Sequence, residues 1–121
     1  MKIEIISFGY KHGMPKEADL LTDVRFLANP YYDGKLKELS GEDEDVEKYV
    51  LSDRTAGKFL EKYLDLLDYL VPLYEKERAC LTIAAGCTGG RHRSVVVARA
   101  IYRHFEKKGA PVRLSHRDIG K

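Results

Sequence analysis

The stretch that most constrains the fold is "LTIAAGCTGGRHRSVVVARAIYRHF", residues 81–105. An apolar run breaks at Gly86 into a loop holding a cysteine, two further glycines, a histidine and two arginines, and then resumes as a helix. A short apolar run bounded by glycine reads as a strand buried on both faces, and such strands belong to parallel sheets. "ACLTIAA" (79–85) is that strand. The helix is expected from about Gly90 to Lys108, with Val97, Ala100, Ile101 and Phe105 as its core stripe and Arg99, Arg103 and Lys107 facing outward. Gly109 ends it, and "APVRLSHRD" supplies a last short strand.

The rest of the chain is consistent with this unit. "KIEIISF" (2–8) alternates like a strand, and a second strand is expected at Leu20–Phe26. "ANPYYDGKLKELSG" (28–41) is a loop by its Asn-Pro and Asp-Gly steps. Ser40 or Gly41 then precedes a helix whose first turn is crowded with acids, at the positive end of the helix dipole. Residues 54–77 place Leu60, Tyr63, Leu67, Leu70 and Tyr74 at helical spacing, with a kink or restart expected at Pro72. The order β-β-α-α-β-α-β predicts one α/β domain over 1–121, a small mainly parallel sheet of about four strands flanked by helices. Ligands on such sheets sit beyond the carboxyl ends of the strands, where loops 9–15, 27–33 and 86–93 can converge.

Composition narrows the class. At 44% hydrophobic residues the chain can fill a core, and no apolar run is long enough for a membrane helix. Cys80 and Cys87 make neither a disulfide framework nor a zinc quartet, so no metal is expected, and the reading places the protein in the cytoplasm. Residues 1–90 carry 12 Lys/Arg against 17 Asp/Glu, whereas residues 91–121 carry nine against two. That basic end suits a phosphorylated ligand or a nucleic-acid backbone. The nucleic-acid candidates are Arg99, Arg103, Lys107, Lys108, Arg113 and Arg117.

The loop itself is built for an anion. Gly89 and Gly90 let backbone N–H groups turn inward, and the following helix adds its dipole. Thr88 and Ser94 add hydroxyls, and Arg93 can grip two oxygens at once. It is not a Walker loop, because GxxxxGK[ST] is absent. Cys87, five residues, Arg93 and Ser94 do match C-x5-R-[ST], the spacing of cysteine-dependent phosphatases, in which a thiolate attacks phosphorus. Gly86 stands where those enzymes usually carry histidine.

Four blocks besides this loop carry a family resemblance. "GCTGGRHRSV" (86–95) resembles the signature of the C-terminal domain of the RapZ family of RNase adapters, and "SFGYKHGMPKEADL" (7–20), "DVRFLANPYY" (23–32), "GEDEDVEKYVL" (41–51) and the terminal "HRD" (116–118) are similar to further blocks of it, in order. The resemblance implies a fold related to part of a phosphofructokinase and a domain that binds glucosamine-6-phosphate, associates with itself, and contacts small RNAs and partner proteins. Carried over by motif, the pocket uses Thr88, Gly89, Gly90, His92, Arg93 and Ser94, joined by His12 and Arg25, with His12 and Asn29 suited by their chemistry to sugar hydroxyls. Arg91 is an added cation that favours a more anionic ligand. The family's N-terminal P-loop domain has no counterpart in these residues, and "DIGK" replaces a basic tail, so RNA binding is expected to be weak. The expected function is a non-catalytic sensor or adapter without a cofactor; the alternative is a phosphatase using Cys87 and Arg93.

Overall fold

The computed structural model describes all 121 residues. Strands β1 (Lys2–Gly9), β2 (Leu20–Asp23), β3 (Cys80–Cys87) and β4 (Val112–His116) form one sheet in the order β2-β3-β1-β4, and every pairing is parallel. Helices α1 (Glu44–Leu51) and α2 (Arg54–Glu75) lie between β2 and β3, and α3 (Arg93–Lys107) lies between β3 and β4. No helix is long and apolar enough to cross a membrane.

Alternation along the strands divides the interior. Ile3, Ile5, Leu81, Ile83 and Ala85 join Leu67 and Val71 of α2 and Val97, Ile101 and Phe105 of α3 in the main core. Ile6, Phe8 and Ala84 are buried on the opposite face and lie outside that cluster. There Tyr10 packs edge-on to Phe8 at 4.9 Å, with the Arg25 guanidinium 3.9 Å over its ring.

Three expectations need correction. β2 stops at Asp23 rather than Phe26, because the Asp23 carboxylate captures the Arg25 N–H at 2.9 Å and the chain turns, closed by Leu27 N–H to the Val24 carbonyl at 3.2 Å. α2 runs unbroken through Pro72, which sits in its last turn, so that only one helical donor is lost and little helix follows it. In α3, which begins at Arg93 rather than near Gly90, Ala100 is half-buried and Ala98 takes its place in the core; Arg99 is half-buried rather than free, donating to the Gly41 carbonyl at 3.0 Å.

Candidate functional site

The loop after β3 lies directly on the end of β1. Gly90 has φ +79°, and a Cβ there would come within 2.5 Å of the Gly9 nitrogen and 2.8 Å of the Phe8 carbonyl carbon. Gly9 is equally constrained, since its Cβ would meet the Gly89 carbonyl carbon at 2.4 Å. Only two glycines face to face allow this approach. Asp118, fully buried, braces the contact: its Oδ2 accepts the Gly9 N–H at 2.7 Å. Arg117 donates to both its oxygens, at 3.1 and 2.9 Å, and Lys121 approaches within 3.0 Å. Burial works against ionisation here, but these donors prevail and hold the carboxyl well below the usual carboxylate range.

That brace presents a row of unused donors. The first amide of α3 to close a helical bond is Val96, to the His92 carbonyl at 3.0 Å. The N–H groups from Thr88 to Val95 find no acceptor in the protein. The last of them are the orphan donors of any helix start; the first come from the loop. Together with the helix dipole they make a positive rim.

A cavity of about 580 Å³ opens at this rim. Cys87, Thr88, Gly89, Arg91, His92 and Arg93 line one side of it. Lys11, Asn29, Tyr31, Tyr32, Lys37, Glu38 and Lys121 line the rest. Arg93 is only 6% exposed; one terminal nitrogen donates to the carbonyls of Arg25 (2.6 Å) and Leu27 (3.3 Å). Its remaining donors have no protein acceptor, yet no buried side-chain nitrogen is left unpaired, so they reach the open cavity. Arg91 spends its donors on the carbonyls of Leu39 (3.1 Å), Ile119 (3.2 Å) and Glu38 (2.6 Å). His92 lies 2.7 Å from the Leu39 carbonyl. Burial, chiefly, pushes its pKa down, so the ring is neutral, and because a carbonyl only accepts, Nε2 carries the hydrogen.

The residues nominated by motif therefore divide. Thr88, Gly89, Arg91, His92 and Arg93 face the cavity, whereas Gly90 is packed behind it. Ser94 is buried, its hydroxyl oxygen accepting the Cys87 thiol at 3.1 Å. His12 is exposed and lies outside the cavity lining; its carbonyl, not its ring, receives Arg117 at 3.4 Å. Arg25 also lies outside, tied to Asp23 at 2.9 and 2.7 Å; that pairing holds the Asp23 carboxyl low, and the Arg25 carbonyl rather than its guanidinium serves the site. Sequence reasoning missed Lys11, Tyr31, Tyr32, Lys37, Glu38 and Lys121. Two adjacent tyrosines after Asn-Pro were a usable signal, for Asn29 caps the turn through Tyr31 N–H at 3.1 Å and leaves Tyr32 83% exposed.

Five of the six nucleic-acid candidates are paired with acids. Arg99 and Arg103 share Glu47 at 3.4 and 3.1 Å, Lys108 meets Asp68 at 3.0 Å, Arg113 meets Glu4 at 3.9 Å and Arg117 meets Asp118. Lys107 alone makes no ion pair.

Comparison with known proteins accords with this architecture. Residues 1–120 match the family model described as the RapZ C-terminal domain. A protein named nucleotide-binding protein from Desulfosudis oleivorans is 52% identical over 121 residues, covering 98% of this chain and 41% of its own length. Similarly named proteins from Desulforapulum autotrophicum and Carboxydothermus hydrogenoformans are 52% and 51% identical, each covering all of this chain and 42% of their own length. The chain thus spans about two fifths of the curated relatives it matches. With a family model matched from end to end and half of all residues shared with these relatives, the chain belongs to the RapZ C-terminal domain family.

Proposed function

We propose that this domain is a sensor and adapter module that binds a phosphorylated metabolite at the rim formed by Thr88–Arg93. The observation that carries the reading is the group of acceptor-less N–H donors at Thr88, Gly89, Arg91, His92 and Arg93, all of them cavity-lining residues, beside the buried Arg93 side chain whose free donors reach the same cavity. Neutral amides and a fixed guanidinium suit a phosphate better than a carboxylate, because three oxygens can be met at once. The cavity's volume falls within the range of small-ligand sites, with room for a sugar beyond the phosphate. Asn29, Tyr31, Tyr32 and Glu38 would meet its hydroxyls, and the resemblance nominates glucosamine-6-phosphate. Relatives named nucleotide-binding proteins make a nucleotide the natural competitor. The adapter half of the reading rests on family membership, and RNA is expected to contribute weakly, because five of the six nucleic-acid candidates already hold acids.

Calorimetry with inorganic phosphate, glucosamine-6-phosphate, glucosamine and a nucleoside monophosphate tests this. The phosphate and the sugar phosphate bind, the sugar phosphate more tightly, and glucosamine alone does not. Preference for the nucleotide would reassign the ligand, and no binding of any phosphate would end the reading.

A further inference from the structure

Cys87 borders the cavity at the edge of the main core, and ligand binding alone gives its thiol no chemical role. Its side chain is 3% exposed at the end of β3, and its thiol donates to Ser94 Oγ at 3.1 Å. Ser94 is itself fully buried, so that hydroxyl has no competing solvent. When the thiol loses its proton, the hydroxyl can rotate and donate to the sulfur, and the start of α3 places further positive potential there. An independent observation points to the same place. Arg93, nine-tenths buried, directs donors without any protein acceptor into the cavity that Cys87 lines. The wall also holds one carboxylate among its cations, Glu38, whose side chain makes no hydrogen bond or ion pair while its backbone is held by Arg91 at 2.6 Å.

We propose that Cys87 is a phosphoryl acceptor, and that the site slowly hydrolyses the phosphate monoester it binds. The proposal rests on the anion site argued above and goes beyond binding. The Cys87 proton passes through solvent to Glu38. The thiolate attacks phosphorus; the S–P bond forms as the P–O bond to the sugar breaks, and the departing oxygen takes the bond pair and a proton from Glu38. The alcohol leaves. Water then attacks phosphorus, Glu38 takes its proton, and the S–P bond breaks to return the thiolate and release inorganic phosphate. Amides of the loop and Arg93 stay on the equatorial oxygens throughout, where charge is greatest. No oxidant, metal or second substrate is required for the balance. A sensor of this kind clears its own ligand.

The test starts with the wild-type chain, so it depends on no variant folding. The protein is incubated with p-nitrophenyl phosphate and with glucosamine-6-phosphate, inorganic phosphate release is followed, and acid-quenched samples are weighed intact and mapped. The expected result is turnover of both esters and one added phosphoryl group on Cys87. Cys87→Ser abolishes release while still binding inorganic phosphate. Glu38→Gln slows the sugar ester by about 100-fold, the lower range for a general acid, and the aryl ester far less, since p-nitrophenolate leaves without a proton. Phosphate binding with neither turnover nor a phosphorylated cysteine overturns this proposal and leaves the sensor reading intact. Turnover that survives in Cys87→Ser overturns it too. Absence of phosphate binding removes both.

Discussion

Gly90→Ala and Gly89→Ala are adjacent, chemically identical substitutions with opposite expected outcomes. At Gly90 the added methyl would lie 2.5 Å from the Gly9 nitrogen, 2.8 Å from the Phe8 carbonyl carbon and 2.9 Å from Asp118 Cβ. Two of these are backbone atoms of the central strand, so the loop must lift off. Three costs combine. Holding alanine at φ +79° costs roughly 1–2 kcal/mol. Forcing a methyl into packed backbone costs roughly 1–3 kcal/mol. Displacing the Gly9 N–H from the Asp118 carboxylate, now 2.7 Å away, costs roughly 1.5–3 kcal/mol. Because lifting the loop relieves the clash while breaking the bond, these are not fully additive, and a net loss of about 4 kcal/mol is expected. At Gly89 a Cβ meets nothing within 4 Å, and the expected change is within about 0.5 kcal/mol. Urea unfolding followed by circular dichroism measures both. With a slope near 2 kcal/mol per molar, Gly90→Ala lowers the midpoint by about 2 M and Gly89→Ala leaves it in place. Equal midpoints for the two variants would refute the claim that the loop is seated on β1 by steric necessity.

Further outcomes test the surroundings. Asp118→Asn keeps the shape but loses the charge facing Arg117 and Lys121; both cations are partly exposed, so a modest loss of about 2 kcal/mol is expected by thermal melting at pH 7. Because the native carboxyl titrates below the unfolded one, its contribution is complete above about pH 4 and fades as pH falls through the native pKa, so the gap between wild type and variant narrows in acid. His92 and His116 have pKa values pushed down chiefly by burial, so the unfolded chain binds more protons below about pH 6.5 and stability declines from pH 7 to 5; His92→Gln, which keeps a donor for Leu39, shows a shallower decline in the same melts. In gel shifts at physiological salt, RNA binds no more tightly than about 10⁻⁴–10⁻⁶ M, and Glu47→Gln, which frees Arg99 and Arg103, strengthens it; tight sequence-dependent binding by the wild type contradicts this.

The strand–loop–helix unit was legible because its signals are local. An apolar run, a glycine break and a helical stripe all lie within residues 81–105, and their consequences are felt within a few residues. The cavity was legible only on that side. Arg91, His92 and Arg93 read as three groups for a ligand, yet much of their hydrogen bonding goes to carbonyls of residues 25, 27, 38, 39 and 119. Spacing shows which side chains share a turn; it does not show which distant carbonyl will need a donor. The same limit hid Lys121 and Glu38, which reach the cavity from segments with no periodicity. β2 was overextended because Val24, Phe26 and Leu27 are apolar, while the Asp23–Arg25 capture that turns the chain leaves no hydrophobic trace.

β1 occupies an inner place in the sheet although it comes first in the chain. Its partners are β3, where Lys2 faces Cys80, and β4, where Ile3 faces Val112. During synthesis this apolar segment is made before most of the domain, and so before either neighbour exists. The only strand made soon after it, β2, never touches it, because β3 lies between them. Closing such long loops is an entropic cost met before any pairing repays it, so assembly is slow and nearly all-or-none. Until then "KIEIISF" is an exposed, strand-prone segment. In a newly made domain β1 accordingly stays unpaired until β3 is complete, and a stall anywhere before residue 80 leaves an open strand rather than a partial fold.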